Sequence, residues 1–294
     1  MSWTKLADFP ASLALLTALT VACDANPPAG ERTVAATDGT PIVYDSRGAG
    51  EPALMFVHCW ACNRAFWRAQ LDVFASDHTV VALDLPGHGA SGRDREEWTL
   101  AGYADDVVRV VDALDLDRVI LVGHSMGGPV SLLAAARLGE RAEGVLCVET
   151  LHDAEFEWPE DAAEGWIAAF ENDYEGSMRT SVAGMVPGNA ELSDWITDQA
   201  LQADRDAMLS IMHEFPTLDL AAAFSAANVP VRCINAAPYG EFSLPTAIET
   251  NRRYADFDAT IMDGVGHYPH LQRPEDFNRL MREVLVEFET GHEH

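Results

Sequence analysis

Val122-Gly123-His124-Ser125-Met126-Gly127-Gly128 decides how this chain is read. It contains G-x-S-x-G, and it stands between an apolar run rich in β-branched residues at 118–122 and a stretch with helical spacing at 129–138. The pattern alone is weak, and the strand–turn–helix context makes it strong. The physics asks for both glycines. A nucleophile on so tight a turn has strained backbone, and Gly123 and Gly127 leave room for the strand and helix to cross closely. The turn lifts Ser125 Oγ above the sheet at the start of the helix, where the helix dipole favours negative charge. A serine with a purely structural role has no need of that pair.

Outward from this segment, strands and helices alternate. Asp38-Gly39, between 32–37 and 41–46, signals a hairpin. Strands are predicted at 53–58, 79–83, 118–122, 144–148, 229–234 and 259–262. Helices are predicted at 65–75, 100–114, 129–138, 244–254 and 274–288. Continuous apolar strands alternating with helices specify a mostly parallel, doubly wound α/β sheet covered on both faces, with the hairpin adding antiparallel strands at one edge. Residues 152–228 interrupt the alternation and read as helical. They carry 16 acidic residues against two arginines, Arg179 and Arg205, together with Trp158, Trp166, Phe170 and Trp195. The segment is expected to form a short helical cap over the substrate entrance. The organisation is then a leader and linker at 1–31, a core in two halves at 32–151 and 229–294, and the cap at 152–228.

The composition narrows the function classes. Of 294 residues, 48% are hydrophobic, enough for a sizeable core. The net charge of −28 excludes nucleic acid as a partner and argues against a basic patch on anionic lipid. Lys5 is the only lysine. The five cysteines are no disulfide scaffold in a chain of this length. Cys147 and Cys233 lie in apolar strand runs, where cysteine behaves as a small hydrophobe. Cys59 and Cys62 form a lone C-x-x-C with no second pair or paired histidines nearby, so no metal is expected. Near the N-terminus an uncharged run, Phe9 to Ala22, closes on Leu19-Thr20-Val21-Ala22-Cys23. The run is too short to span a bilayer and fits the apolar core of a secretory signal.

A serine hydroxyl is a poor nucleophile until a base takes its proton. The candidate base is His267, in Gly266-His267-Tyr268-Pro269-His270, because it follows the last strand and so opens on the same sheet edge as Ser125. His270 is the competing histidine. A developing oxyanion needs two placed N–H donors. Met126, next after the serine, supplies one, and Trp60, in the loop after the strand at 53–58, supplies the other.

These segments resemble the α/β-hydrolase fold family, of the serine esterase and lipase type. The resemblance rests on Gly123-His124-Ser125-Met126-Gly127-Gly128, on Asp84-Leu85-Pro86-Gly87-His88-Gly89-Ala90-Ser91, and on Gly266-His267 ahead of Pro274-Glu275, and it runs from about residue 32 to 288. It implies an α/β-hydrolase fold that cleaves a carboxylic ester, a small and neutral one given the acidic cap, through an acyl-enzyme without metal or organic cofactor. A lactonase, amidase, C–C hydrolase or perhydrolase on the same residues, or a non-catalytic binding protein on the same fold, are the alternatives. Two departures stand out. The family usually has His-Gly before the oxyanion residue, and here the pair is His58-Cys59. The family's acid usually follows the strand at 229–234, where this chain offers only Glu241. Some relatives carry the acid at the preceding strand end, which gives Glu149 as the expected acid, with Glu241 and Asp153 as alternatives. The N-terminal run also resembles a bacterial lipoprotein signal, which implies export and lipid anchoring at Cys23. The alternative is a short amphipathic helix on a cytoplasmic enzyme.

Overall fold

The structure, a computed structural model, describes residues 30–239 and 243–290. The leader with Cys23 and the alternative acid Glu241 lie outside the described residues.

The chain opens with β1 (Gly30–Ala35) and β2 (Pro41–Arg47), which pair antiparallel around the Asp38-Gly39 turn as expected. Then β3 (Ala53–Val57), α1 (Arg68–Phe74), β4 (Val80–Leu83), α2 (Leu100–Ala113), β5 (Val119–His124), α3 (Gly127–Leu138) and β6 (Ala142–Val148) follow in strict alternation. Five helices come next: α4 (Glu160–Asn172), α5 (Tyr174–Met185), α6 (Ala190–Ala200), α7 (Arg205–Glu214) and α8 (Leu220–Ala227). The alternation resumes with β7 (Val231–Ala236), α9 (Ile248–Asn251), β8 (Phe257–Met262), α10 (Pro269–Gln272) and α11 (Pro274–Thr290).

The described strands form one sheet in the order β1-β2-β4-β3-β5-β6-β7-β8. β2 meets β4 antiparallel, and β4, β3, β5, β6, β7 and β8 run parallel. Parallel strands place all their carboxyl ends on one edge, and that edge positions the site. The central strands β3, β4 and β5 are buried on both faces, as their unbroken apolar runs require. On one face α2, α3 and α8 pack against Met55, Val57, Leu121 and Val145. On the other, α1 and α11 bring Leu71, Phe74, Phe277, Met281 and Phe288 onto Leu54, Phe56, Ile120 and Leu146. The helices α4–α7 attach to the first of these cores through Phe170, Met178, Val182, Ile196, Met208 and Ile211.

Two local expectations shift. The helix predicted at 244–254 shrinks to the four residues of α9. Pro245 keeps the residue before it out of helical backbone. The next residues are then held outside the helix, with Thr246 Oγ1 accepting from Asn235 Nδ2 at 2.9 Å and Ala247 N–H donating to His152 O at 2.7 Å. β7 starts two residues late, because Pro230 cannot donate to a ladder and only its carbonyl pairs, with Val145 N–H.

Histidine contacts aside, the ion pairs of the described residues are carried by arginine. Arg64 meets Glu31, Asp45 and the buried Asp84, and Arg95 grips Asp106 through two hydrogen bonds of 2.7 and 2.8 Å. Asp84 also accepts from the Arg64 and Ala90 N–H groups, which fastens the Asp84–Ser91 loop under the site edge.

Gly144 in β6 lies directly under the Phe288 ring, where a Cβ would collide with it. Gly144→Ala should therefore cost about 1–3 kcal/mol of stability through overpacking. Thermal unfolding checks this, and an unchanged Tm would mean that α11 yields freely.

Candidate active site

The turn from β5 to α3 is as tight as its sequence requires. Ser125 has φ 51, in the left-handed region that a residue with a Cβ rarely enters. Its N–H donates to Val148 O at 3.0 Å, which ties the turn to the end of β6. A Cβ on Gly123 would collide with the Gly127 carbonyl, and one on Gly127 with the Val57 carbonyl. The two glycines of the motif are thus fixed by backbone approaching backbone. Ser125 itself is half-buried at the N-terminus of α3.

His267 follows β8 and reaches the same edge. Its N–H donates to Met185 O at 2.9 Å, and its carbonyl lies 2.7 Å from His124 Nε2. Gly266 permits the first contact, since a Cβ there would collide with the same Met185 carbonyl. On the ring, Nδ1 lies 3.2 Å from Glu149 Oε2. Glu149 stands just past β6 with φ 48, and only 2% of the residue is exposed. Its Oε1 accepts from Ala236 N–H at 2.9 Å and has His152 Nε2 at 3.6 Å, while Tyr239 OH donates to Oε2 at 2.9 Å. Burial pushes the Glu149 carboxyl up. The hydrogen bond and charge of His267, the charge of His152 and the Ala236 N–H outweigh it and hold the group below its ordinary value. The carboxylate is therefore charged at neutral pH, beside the His267 ring.

The loop after β3 faces this pair. Cys59 and Cys62 are joined by a disulfide that closes around Trp60 and Ala61, and Ala61 has φ 58. His58, fully buried, anchors the loop. Its Nδ1 bonds Cys59 O at 2.8 Å and its Nε2 accepts from Leu85 N–H at 2.9 Å. That pairing fits the neutral imidazole, and burial drives the pKa of His58 down. The Trp60 indole N–H donates to Met208 O at 3.0 Å, and its ring meets Phe170 edge-on at 5.3 Å. Neither the Trp60 nor the Met126 backbone N–H donates to another described residue.

The structure thus brings Ser125, Met126, Trp60, Glu149 and His267 to one sheet edge. The other candidates go elsewhere. His270 is fully buried between Trp67 and His124, ring centroids 4.6 Å from each, and burial, with the His267 charge behind it, drives its pKa down to about 3. Asp153 accepts from Glu155 N–H at 3.0 Å within its own turn. No group of metal-ligating side chains forms among the described residues. The sequence leaves the state of the C-x-x-C open, and its motifs do not single out Tyr239 or His152. A signal for Tyr239 is present all the same, since the loop that lacks an aspartate does carry a phenol.

The alpha/beta hydrolase fold profile matches residues 52–182. The acetyltransferase component of an acetoin cleaving system from Cupriavidus necator is 37% identical over 41% of this chain, a match that spans only 34% of that longer protein. A strigolactone esterase of Pisum sativum is 27% identical over 80% of this chain and 95% of its own length. Among solved structures, an N-acyl homoserine lactone degrading enzyme superposes with a TM-score of 0.73 at 26% identity, covering 86% of this chain and 99% of the other. An esterase from Exiguobacterium antarcticum reaches 0.79 at 17% identity, covering 87% and 100%. The chain has the α/β-hydrolase fold.

Proposed function

We propose that the protein is a serine hydrolase that cleaves carboxylic esters through an acyl-enzyme. The observation that carries this reading is the His267–Glu149 pair set on the same edge as the strained turn at Ser125. Ser125 Oγ attacks the carbonyl while His267 Nε2 takes its proton and then hands it to the leaving alcohol. Glu149 keeps the imidazole in the Nδ1–H tautomer and stabilises the imidazolium. The N–H groups of Met126 and Trp60 receive the oxyanion. Water, activated by the same histidine, releases the acid. Ser125 Oγ makes no hydrogen bond to a described residue, which suits a resting site whose contacts tighten around substrate.

The walls suit a neutral, apolar substrate. From Trp60 an aromatic series runs outward through Trp166 at 6.4 Å to Trp158, stacked on it at 5.6 Å, and to the half-exposed Phe156. Some acids of 152–228 serve structure instead. Asp173, Asp204 and Asp219 cap α5, α7 and α8. The rest leave the region negative. A lactone, an ester closed on itself, is the second reading, favoured by the likeness to the homoserine lactone degrading enzyme.

Three measurements test this. A fluorophosphonate should label Ser125, and Ser125→Ala should abolish the label. Labelling that survives, or no labelling of the native chain, would favour another nucleophile or a binding protein. Glu149→Gln should lower kcat by roughly 10⁴ with little change in KM, because it keeps shape and removes the charge behind His267. Near-native turnover would place the acid elsewhere. Neutral esters and lactones should turn over faster than dicarboxylate analogues, with the gap narrowing at 1 M salt, where the screening length is ~3 Å. Equal rates at low salt would end that reading of the cap.

A further inference from the structure

We propose that Tyr239 is a positioning residue for Glu149, and that its phenol tempers the charge this carboxylate offers to His267. The proposal rests on the hydrolase reading above. Glu149 Oε2 is shared between two donors, His267 Nδ1 at 3.2 Å and Tyr239 OH at 2.9 Å. A carboxylate held at Oε1 alone can still swing about its own axis. Here Ala236 N–H fixes Oε1 and Tyr239 OH fixes Oε2, so the plane of the group is set from the end of β7 before His267 touches it. Tyr239 is held in turn, its own N–H donating to Ser243 Oγ at 2.8 Å. Burial, then the neighbouring Glu149 charge, pushes the phenol's pKa up, so the hydroxyl keeps its proton and donates at neutral pH.

The second consequence is electrostatic. A phenol proton on Oε2 draws negative charge from the atom that faces the imidazolium. Removing it leaves the anion undiluted. His267 then holds its proton to higher pH and is a free base over a narrower range. The groups that face the carboxylate are His267 from the loop after β8, His152 from the loop after β6 and Tyr239 from the loop after β7. The buried Cys233 on β7 feels its charge, and Tyr268 lies within electrostatic reach of Tyr239.

A purely structural tyrosine would also pack here, since Tyr239 rests on Ala236, Met262 and Val265. The test must separate the two. Tyr239→Phe keeps the ring and removes only the hydroxyl. With a neutral ester, kcat should fall about tenfold with KM within twofold, and the acid limb of kcat/KM should move up by about half a pH unit. In the Glu149→Gln background the same change should cost little, because the charge it tempers is gone. The His267 Nδ1 proton, read by NMR, needs no substrate. Its resonance should move downfield in Tyr239→Phe as the bond to Glu149 strengthens. An unmoved acid limb, a loss that simply adds to that of Glu149→Gln, or an unmoved resonance would each overturn the proposal. Absence of Ser125 labelling in the native chain would overturn the hydrolase reading instead, and the resonance would still decide the position of Tyr239.

Discussion

A serine held at φ 51 costs of order 1–3 kcal/mol, and the rest of the molecule is arranged so that it has no alternative. The strand before it is central in the sheet, the helix after it is pressed against two other helices, and the two glycines beside it are closed in by backbone carbonyls. Neither the strand nor the helix can rotate to relax the turn without losing core contacts. The strain is therefore stored by tertiary packing and borne at one residue, whose side chain is lifted clear of the sheet.

The same logic repeats along the edge. Because β3, β5, β6, β7 and β8 are parallel, their carboxyl ends deliver Trp60, Ser125, Glu149, Tyr239 and His267 to one side without any long excursion of the chain. Three further residues with a side chain enter the left-handed region there, Ala61, Glu149 and Leu151. A buried carboxylate is expensive to leave unpaired. Glu149 meets that cost with an amide, a phenol and two imidazoles drawn from three different loops. Dependence on so many separate segments makes this carboxylate a reporter of the whole edge.

The alternation of strands and helices was legible because the central strands are nearly unbroken apolar runs and the longer helices carry a regular stripe. The glycines at 123 and 127 announced the turn for the same physical reason that the structure needs them. What escaped was set by contacts distant in sequence. Nothing local tells that Thr246 and Ala247 are held out of the helix by Asn235 and His152, so periodicity suggested a longer helix than α9. The disulfide at Cys59–Cys62 depends on the loop folding back around Ala61, and the partner of Glu149 at Tyr239 depends on two loops meeting 90 residues apart. Glu149 itself could be placed at a strand end from the sequence, but its approach to His267 needed the strand order.

The reliance on arginine for ion pairing has a practical side. A guanidinium does not react with the reagents that acylate amines, and it stays protonated across any pH the fold tolerates. Lys5, outside the described residues, is the only lysine side chain. Amine-directed dyes, cross-linkers and solid supports will therefore find no lysine anywhere on residues 30–239 or 243–290. A chain that keeps residue 5 and is tethered through Lys5 would present its sheet edge free of chemical scars, with every ion pair of the described fold untouched.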